Sequence, residues 1–277
     1  MNLEKSTLDK FDKLKGYLKR LEKFVVAFSG GVDSTFLLAT ASHIMPNSIL
    51  AVTAKGPIYP EWETETAVNF LKKHNIKYRI ISYNPLSDPE FYKNQPQRCY
   101  HCKKRLFSLL KGLADNNGYP YVLDGTNSDD VRDYRPGLKA LEELGIVSPL
   151  KEVGLTKIEI RLLSKDYFNL PTSEQPSMAC LATRIPYGDR VTAEKLKNVE
   201  RIELHLLSLG FSNFRARVHG NLLRIEVPED DIKKITDKKI SKSIIELSKN
   251  IGFTYVTIDL EGYRSGSLNE ELFKRMF

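Results

Sequence analysis

The feature that most constrains this chain is Ser29-Gly30-Gly31-Val32-Asp33-Ser34, together with its flanks. Residues 23–28 end in Phe-Val-Val-Ala-Phe, a β-branched and aromatic run suited to a strand buried on both faces. Residues 35–44 are apolar at helical spacing, so the motif is a strand, a glycine turn and a helix N-terminus. Two adjacent glycines let the backbone turn sharply and aim several N–H groups at one anion, and the helix adds its unpaired N–H groups and positive dipole end. Such a turn is a phosphate cradle. Its candidate residues are Ser29, Gly30, Gly31, Val32, Asp33 and Ser34, with the serine hydroxyls as donors and Asp33 as helix cap or Mg²⁺ ligand. The Gly-Lys-Ser/Thr ending of a Walker A loop is missing and the spacing is not Gly-x-Gly-x-x-Gly, so neither of those fingerprints applies. An ordinary glycine-rich turn is the bland alternative.

The hexapeptide resembles the pyrophosphate loop of the PP-loop ATP pyrophosphatases, or adenine nucleotide alpha hydrolases. That resemblance implies attack of a substrate oxygen on the α phosphate of ATP, with pyrophosphate leaving. It leaves the substrate open, because the superfamily spans amide-forming synthetases and sulfur-inserting enzymes.

The rest of the first half extends the same pattern. An amphipathic helix over residues 6–22 carries Leu8, Phe11, Leu14, Leu18 and Leu21. Strands are expected at 48–54, 77–83 and 119–124, helices at 61–74 and 105–114, then a helix to Leu144, a short strand at 146–150 and a Thr156-capped helix over 156–168. Alternation of this kind gives an α/β fold with a doubly wound, mostly parallel sheet, whose ligands bind beyond the carboxyl ends of the strands. Thr53 emerges at one such end, and Gly125-Thr126-Asn127-Ser128-Asp129-Asp130 at another, continued by Arg132, Arg135, Pro136 and Gly137. Thr53, Gly125, Thr126, Asn127 and Asp129 therefore join the phosphate loop as candidate nucleotide-binding residues, with a plain turn as the alternative for the second loop.

Three cysteines bear on the chemistry. Cys99 and Cys102 form a C-x-x-C at a helix start, where thiolates are favoured, and read as a redox dithiol or half of a metal site. His101, between them, is expected to face solvent. Cys180 lies in residues 171–190, an irregular stretch too apolar for a solvated linker and therefore an expected active-site loop, which also holds Arg184. Three thiolates are one short of the usual four of a [4Fe-4S] cluster and would leave one iron open to hold hydrosulfide.

From Thr192 the pattern becomes helix, hairpin, two charged helices and a strand, a small separate α+β domain. The expected division is 1–170 for the nucleotide domain, 171–190 for the loop and 191–277 for the small substrate domain. Arg215 and Arg217 share one strand face and together suit a phosphate clamp, with a solvated basic face as the alternative. Glu203 and Glu226 are weaker candidates for metal ligation.

With 41 % hydrophobic and 28 % charged residues the 277-residue chain has a globular composition. No apolar run is long enough to cross a bilayer, and residues 1–20 lack the apolar centre of a signal peptide, so a cytoplasmic location and no membrane partner are expected. The net charge of +7, from 42 basic and 35 acidic residues, suits an anionic partner without choosing one. The lysines are dispersed, which argues against nucleic acid. A homo-oligomer is the expected assembly.

Taken together, SGGVDS, RCYHCKK, GTNSDD, PSMACLATRIPYG and the closing GF-TYVTIDLEGYRSGS resemble the LarE-type sulfur transferases of nickel-pincer nucleotide biosynthesis, over essentially the whole chain. The resemblance implies a carboxylated pyridinium mononucleotide as substrate, converted to its thiocarboxylate with ATP and Mg²⁺, and a sulfide or other sulfur donor. It places Cys180 at the sulfur-donating position. Arg184, Arg215, Arg217, Lys103, Glu203 and Glu226 become substrate-binding candidates, and Asp33, Cys99, Cys102 and Cys180 the catalytic ones. Members that sacrifice their own cysteine need only the loop thiol. The extra Cys99 and Cys102 point instead to the branch in which Cys99, Cys102 and Cys180 ligate a [4Fe-4S] cluster. A tRNA thiolase and a nucleotide-binding regulator without turnover are the rival readings.

Overall fold

In the computed structural model the described residues are 3–132, 136–176, 179–264 and 266–270, with the side chains of residues 131 and 132 outside the description. Arg132 and Arg135, expected to continue the second loop, thus fall wholly or in part outside it. The chain divides into two compact units, Met1–Tyr83 with Cys99–Met178, and Asn84–Arg98 with Ala179–Phe277.

The first unit opens with α1 (Lys5–Leu21), β1 (Phe24–Ala27), α2 (Val32–Ile44), β2 (Ile49–Lys55), α3 (Glu61–Lys73) and β3 (Tyr78–Ser82). It resumes with α4 (Arg98–Asn116), β4 (Tyr121–Leu123), α5 (Pro136–Glu143) and α6 (Lys157–Asp166). The four strands are parallel in the order β3-β2-β1-β4, with Val25 opposite both Leu50 and Val122. Residues alternate across a strand, so each strand feeds two cores. Phe24, Val26 and Phe28 pack with Phe11, Phe36, Leu71 and Leu163 on one side, whereas Val25, Leu50 and Val52 pack with Phe107, Leu110 and Leu141 on the other. Helices cover both faces, as the continuous apolar strands require. Because β1 is interior, its carboxyl end and the turn that follows are held by neighbours on both sides.

Three expectations need correction. Residues 146–150 form no strand: Val147 makes a single parallel bridge to Leu123, and Pro149 opens a helical turn, Pro149–Glu152. Proline lacks the N–H a ladder needs and suits the first helical position. On α1 the inward row is Thr7, Phe11, Leu14 and Leu18, while Leu8 is 38 % exposed. The helix expected at 105–114 begins at Arg98, whose N–H donates to Gln95 O at 2.8 Å, so both cysteines lie in its first turn and a half. The capping of α6 is as expected: Thr156 and Glu159 form a reciprocal capping box.

The second unit contains α7 (Ala193–Ser208), β5 (Arg215–His219), β6 (Leu222–Glu226), α8 (Lys238–Ile251) and β7 (Tyr255–Ile258). Its sheet has the order β5-β6-β7, antiparallel then parallel. Residues 84–98 belong to this unit as a strap. Buried Asn94 donates to Ile185 O at 3.1 Å and Pro186 O at 2.7 Å, and Arg98 reaches both the Asn94 side chain and, at 2.9 Å, Ala182 O. Among the described residues no helix is long and apolar enough to cross a membrane.

Candidate active site

The turn after β1 has the geometry its sequence calls for. Gly30 adopts φ +80°, and a Cβ there would stand 3.0 Å from that of Ala67 on α3, so both conformation and space demand glycine. Gly31 is the N-cap of α2, and no side chain caps that helix. The first-turn amides thus remain available to an anion. The hydroxyls of Ser29 and Ser34 lie 3.1 Å apart, and Ser34 Oγ donates to Gly31 O at 3.1 Å, which fixes the shape of the turn. Thr53, buried at the end of β2, spends its hydroxyl on Phe28 O at 3.0 Å.

Asp33 points across the turn. Lys157 Nζ is 2.5 Å from Asp33 Oδ2, and Asn127 Nδ2 is 3.4 Å from Oδ1. Both partners come from the loop and helix that follow β4. A Cβ on Gly125 would lie 2.9 Å from Ser34 N, so the two loops touch. Behind the contact, buried Asp124 accepts from Thr126 Oγ1 at 2.5 Å and Ser148 Oγ at 2.6 Å. Asn127 Oδ1 accepts from the N–H groups of Asp129 and Asp130, and Asp129 Oδ2 accepts Lys157 N at 2.8 Å. The structure therefore brings the Ser29–Ser34 loop against the Gly125–Asp129 loop, through Gly125 beside Ser34, Asn127 beside Asp33 and Lys157 between Asp33 and Asp129, with Thr53 bonded to the strand end that precedes the first loop. The chemical resource is a set of backbone and hydroxyl donors beside one carboxylate and one ammonium, which suits a polyphosphate and a divalent cation.

Cys99 and Cys102, three residues apart on α4, share a helix face. Both are half-buried, and buried Tyr83 donates to Cys102 O at 2.9 Å with its hydroxyl 3.5 Å from Cys102 Sγ. Lys103 runs its methylenes along Gly137 on α5, where a Cβ would meet Lys103 Cδ at 2.7 Å. Two soft thiolates on one face fit two ligands of an iron–sulfur cluster. Among the described residues no group of three or more His, Cys, Asp or Glu side chains is arranged to hold a metal ion.

In the second unit the candidate residues form a buried charge cluster. Arg184 grips Glu203 through two bonds of 2.8 and 2.9 Å and donates to Ala179 O at 2.8 Å. Arg217 grips Glu226 in the same way at 3.0 and 2.8 Å, and Ser267 and Arg224 complete the shell of Glu226. Arg215 donates to Phe214 O at 2.6 Å and to the Tyr263 hydroxyl at 3.2 Å. Burial, followed by the positive charge of Arg184, pushes its pKa down. The three buried guanidiniums of Arg184, Arg215 and Arg217 face the two buried carboxylates of Glu203 and Glu226, which leaves one positive charge in excess among these five. Glu203 and Glu226 act here as acceptors for arginine. Half-buried Cys180 opens the short turn Leu181–Arg184 and its carbonyl accepts from Thr183 N at 3.0 Å and Thr183 Oγ1 at 2.8 Å.

No family model matches the chain. It is 39 % identical over 265 residues to an uncharacterized protein of Synechocystis sp., covering 96 % of this chain and 98 % of that one. It is 35 % identical over 260 residues to the pyridinium-3,5-bisthiocarboxylic acid mononucleotide synthase of Lactiplantibacillus plantarum, covering 93 % and 92 %. The chain belongs to the LarE-type family of ATP-dependent sulfur transferases. A partial likeness to a subunit of the glutamine-hydrolyzing GMP synthase of Thermoplasma volcanium, 31 % over 196 residues and 63 % and 60 % of the two chains, agrees with the PP-loop fold seen in the first unit.

For a LarE-type chain the residue that sequence reasoning missed is Lys157. It lies 124 residues beyond Asp33, and nothing near it looks like a phosphate motif. The signal was present in another form. Thr156 and Glu159 mark a capping box, which makes Lys157 the first residue of a helix beginning beside the crevice.

Proposed function

We propose that this LarE-type enzyme activates a carboxylate of pyridinium-3,5-biscarboxylic acid mononucleotide with ATP and replaces the carboxylate oxygen with sulfur. The carboxylate oxygen attacks the α phosphate, pyrophosphate departs, and the acyl adenylate forms. Sulfide then adds to the acyl carbon and AMP leaves with the original oxygen, giving the thiocarboxylate. The single observation that carries this reading is the end-to-end likeness to a synthase whose name states that product.

The geometry supplies supporting chemistry. The amides of α2, the hydroxyls of Ser29 and Ser34 and the ammonium of Lys157 would take up charge developing on pyrophosphate, and Asp33 would hold Mg²⁺. Thr53, Gly125, Thr126, Asn127 and Asp129 would line the nucleotide crevice. In the second unit the excess positive charge among Arg184, Arg215 and Arg217 suits the substrate phosphate. Cys99, Cys102 and Cys180 would be the thiolates of a [4Fe-4S] cluster, which when bound would supply a soft iron position for sulfide.

Anaerobic incubation with ATP, Mg²⁺, sulfide and the mononucleotide tests the reaction. The expected result is AMP, pyrophosphate and a product heavier by the sulfur-for-oxygen difference. ADP and phosphate, or pyrophosphate release indifferent to the mononucleotide, contradicts it. Iron and acid-labile sulfide in the reconstituted protein, lost on Cys99→Ala, support the cluster. An iron-free protein whose Cys180 loses the mass of H₂S during reaction points to sacrificial donation instead.

A further inference from the structure

The strap and the segment that carries Cys180 both belong to the second unit, and a buried polar relay laces one to the other. At its centre is Asn94, wholly buried and at φ +56°, a left-handed conformation that asparagine tolerates better than most side chains. Backbone and side chain are spent on the same stretch of chain. Its carbonyl accepts from Gly188 N at 3.1 Å, and its amide nitrogen donates to Ile185 O at 3.1 Å and Pro186 O at 2.7 Å. Its amide oxygen accepts from Nη1 of Arg98, which is 2 % exposed and from the same nitrogen donates to Ala182 O at 2.9 Å.

Ala182 O is also part of the turn that Cys180 opens. Ile185 N donates to it at 3.3 Å, one bond after Thr183 N and Thr183 Oγ1 have closed on Cys180 O. Leu181 and Ala182 are wholly buried, whereas Cys180 is half-buried. A charged donor out of water makes a stronger bond to a carbonyl than a neutral one does. Arg98 therefore fixes the backbone two residues beyond Cys180, and Asn94 fixes it again at residues 185 and 186, where the turn ends.

We propose that Arg98 and Asn94 are positioning residues for the sulfur-transfer step: they lock the buried side of the Leu181–Arg184 turn, so that Cys180 at its start presents its thiol in one place. The inference rests on the sulfur-transfer reading above for its kinetic consequence. It makes no demand on adenylation, because the phosphate loop belongs to the other unit.

Two readouts test it. In the first, full-length wild-type, Arg98→Ala and Asn94→Ala proteins are treated with a chelator, so that no metal shields a thiol, and alkylated with iodoacetamide. Peptide mass spectrometry compares the rate at Cys180 with that at Cys102. The account expects a severalfold rise at Cys180 in both variants with little change at Cys102, a measurement that needs no substrate. In the second, at saturating mononucleotide, both variants keep their rate of pyrophosphate release within about twofold while thiocarboxylate formation falls by about tenfold or more, since small misplacement of a reacting group is costly. Arg98→Lys changes both readouts in the same direction, because a single ammonium on a shorter reach does not replace the guanidinium; it serves as the test variant should Arg98→Ala not fold. An unchanged alkylation rate at Cys180, an equal rise at Cys102, or pyrophosphate release that falls in parallel with product overturns the proposal. If wild-type protein forms no thiocarboxylate, the functional reading fails while the alkylation result still decides whether Arg98 and Asn94 hold Cys180.

Discussion

The phosphate-loop crevice of the first unit and the buried arginine cluster of the second manage charge in opposite ways. In the crevice the donors are mostly backbone amides that glycine geometry exposes, and the Lys157–Asp33 pair is 27 % and 21 % exposed. In the second unit Arg217 and Glu226 are 6 % and 0 % exposed, with both carboxylate oxygens engaged. A partly exposed ion pair is more weakly held and can exchange partners, whereas a buried one is costly to break. The first arrangement is suited to taking up and releasing an anion. The second holds its arginines in fixed orientation, with only the one excess positive charge left to attract one.

That contrast can be broken most sharply at Glu226. Glu226→Ala leaves Arg217 buried without its carboxylate and should lower unfolding stability by about 3–5 kcal/mol in urea titration. A small effect would mean that the cluster is wetter than its burial indicates. Replacing the Arg217–Glu226 pair together by apolar residues of similar size should restore much of the loss, since a buried pair gains little over well-packed hydrophobes.

Next in size is Lys157→Ala. On the proposed function it should cost about 10²–10³ in the rate of pyrophosphate release, as removal of a charge-stabilising donor does elsewhere. Its thermal stability should change little, because the pair is partly exposed to water. A large stability loss with normal chemistry would reverse the contrast.

Gly125→Ala sharpens it from the backbone side. The new Cβ meets Ser34 N at 2.9 Å and must push the two loops apart, at about 1–3 kcal/mol of strain, and ATP affinity should fall with it.

The smallest effects belong to the start of α6. Thr156→Ala removes the cap for about 1 kcal/mol. Burial works to raise the Glu159 carboxyl, but hydrogen bonds from Lys10 and Thr156 outweigh it and hold the group below its ordinary value. A depressed carboxylate stabilises the fold above its ordinary pKa, and that contribution is lost as pH falls through the folded value. Glu159→Gln should therefore flatten the acid limb of the stability profile while leaving its neutral plateau lower.

How much of this was legible beforehand follows the same divide. The phosphate loop is readable because its determinants are local: Gly30 and Gly31 between a β-branched run and an apolar helix admit few conformations, whereas Lys157 reaches it from 124 residues away. The sheet was readable because apolar strands alternate with helical spacing. Pairings across the chain were not. Nothing in the sequence marks Glu203 for Arg184 or Glu226 for Arg217, and of the two arginines that suit a phosphate clamp Arg217 is paired with a carboxylate while Arg215 donates to Phe214 O and the Tyr263 hydroxyl. Nothing in the sequence marks Asn94 for burial either, yet its polar side chain is wholly enclosed and donates to carbonyls of residues 185 and 186. Pro149 was present in the expected strand and should have excluded it.

The central claim is that the crevice activates a carboxylate by transfer of AMP. The most direct measurement uses the mononucleotide labelled with ¹⁸O in its carboxylates, followed by mass analysis of the nucleotides formed. The account predicts one ¹⁸O in each AMP released, accompanied by unlabelled pyrophosphate. Label recovered in inorganic phosphate, or AMP without label, would contradict it.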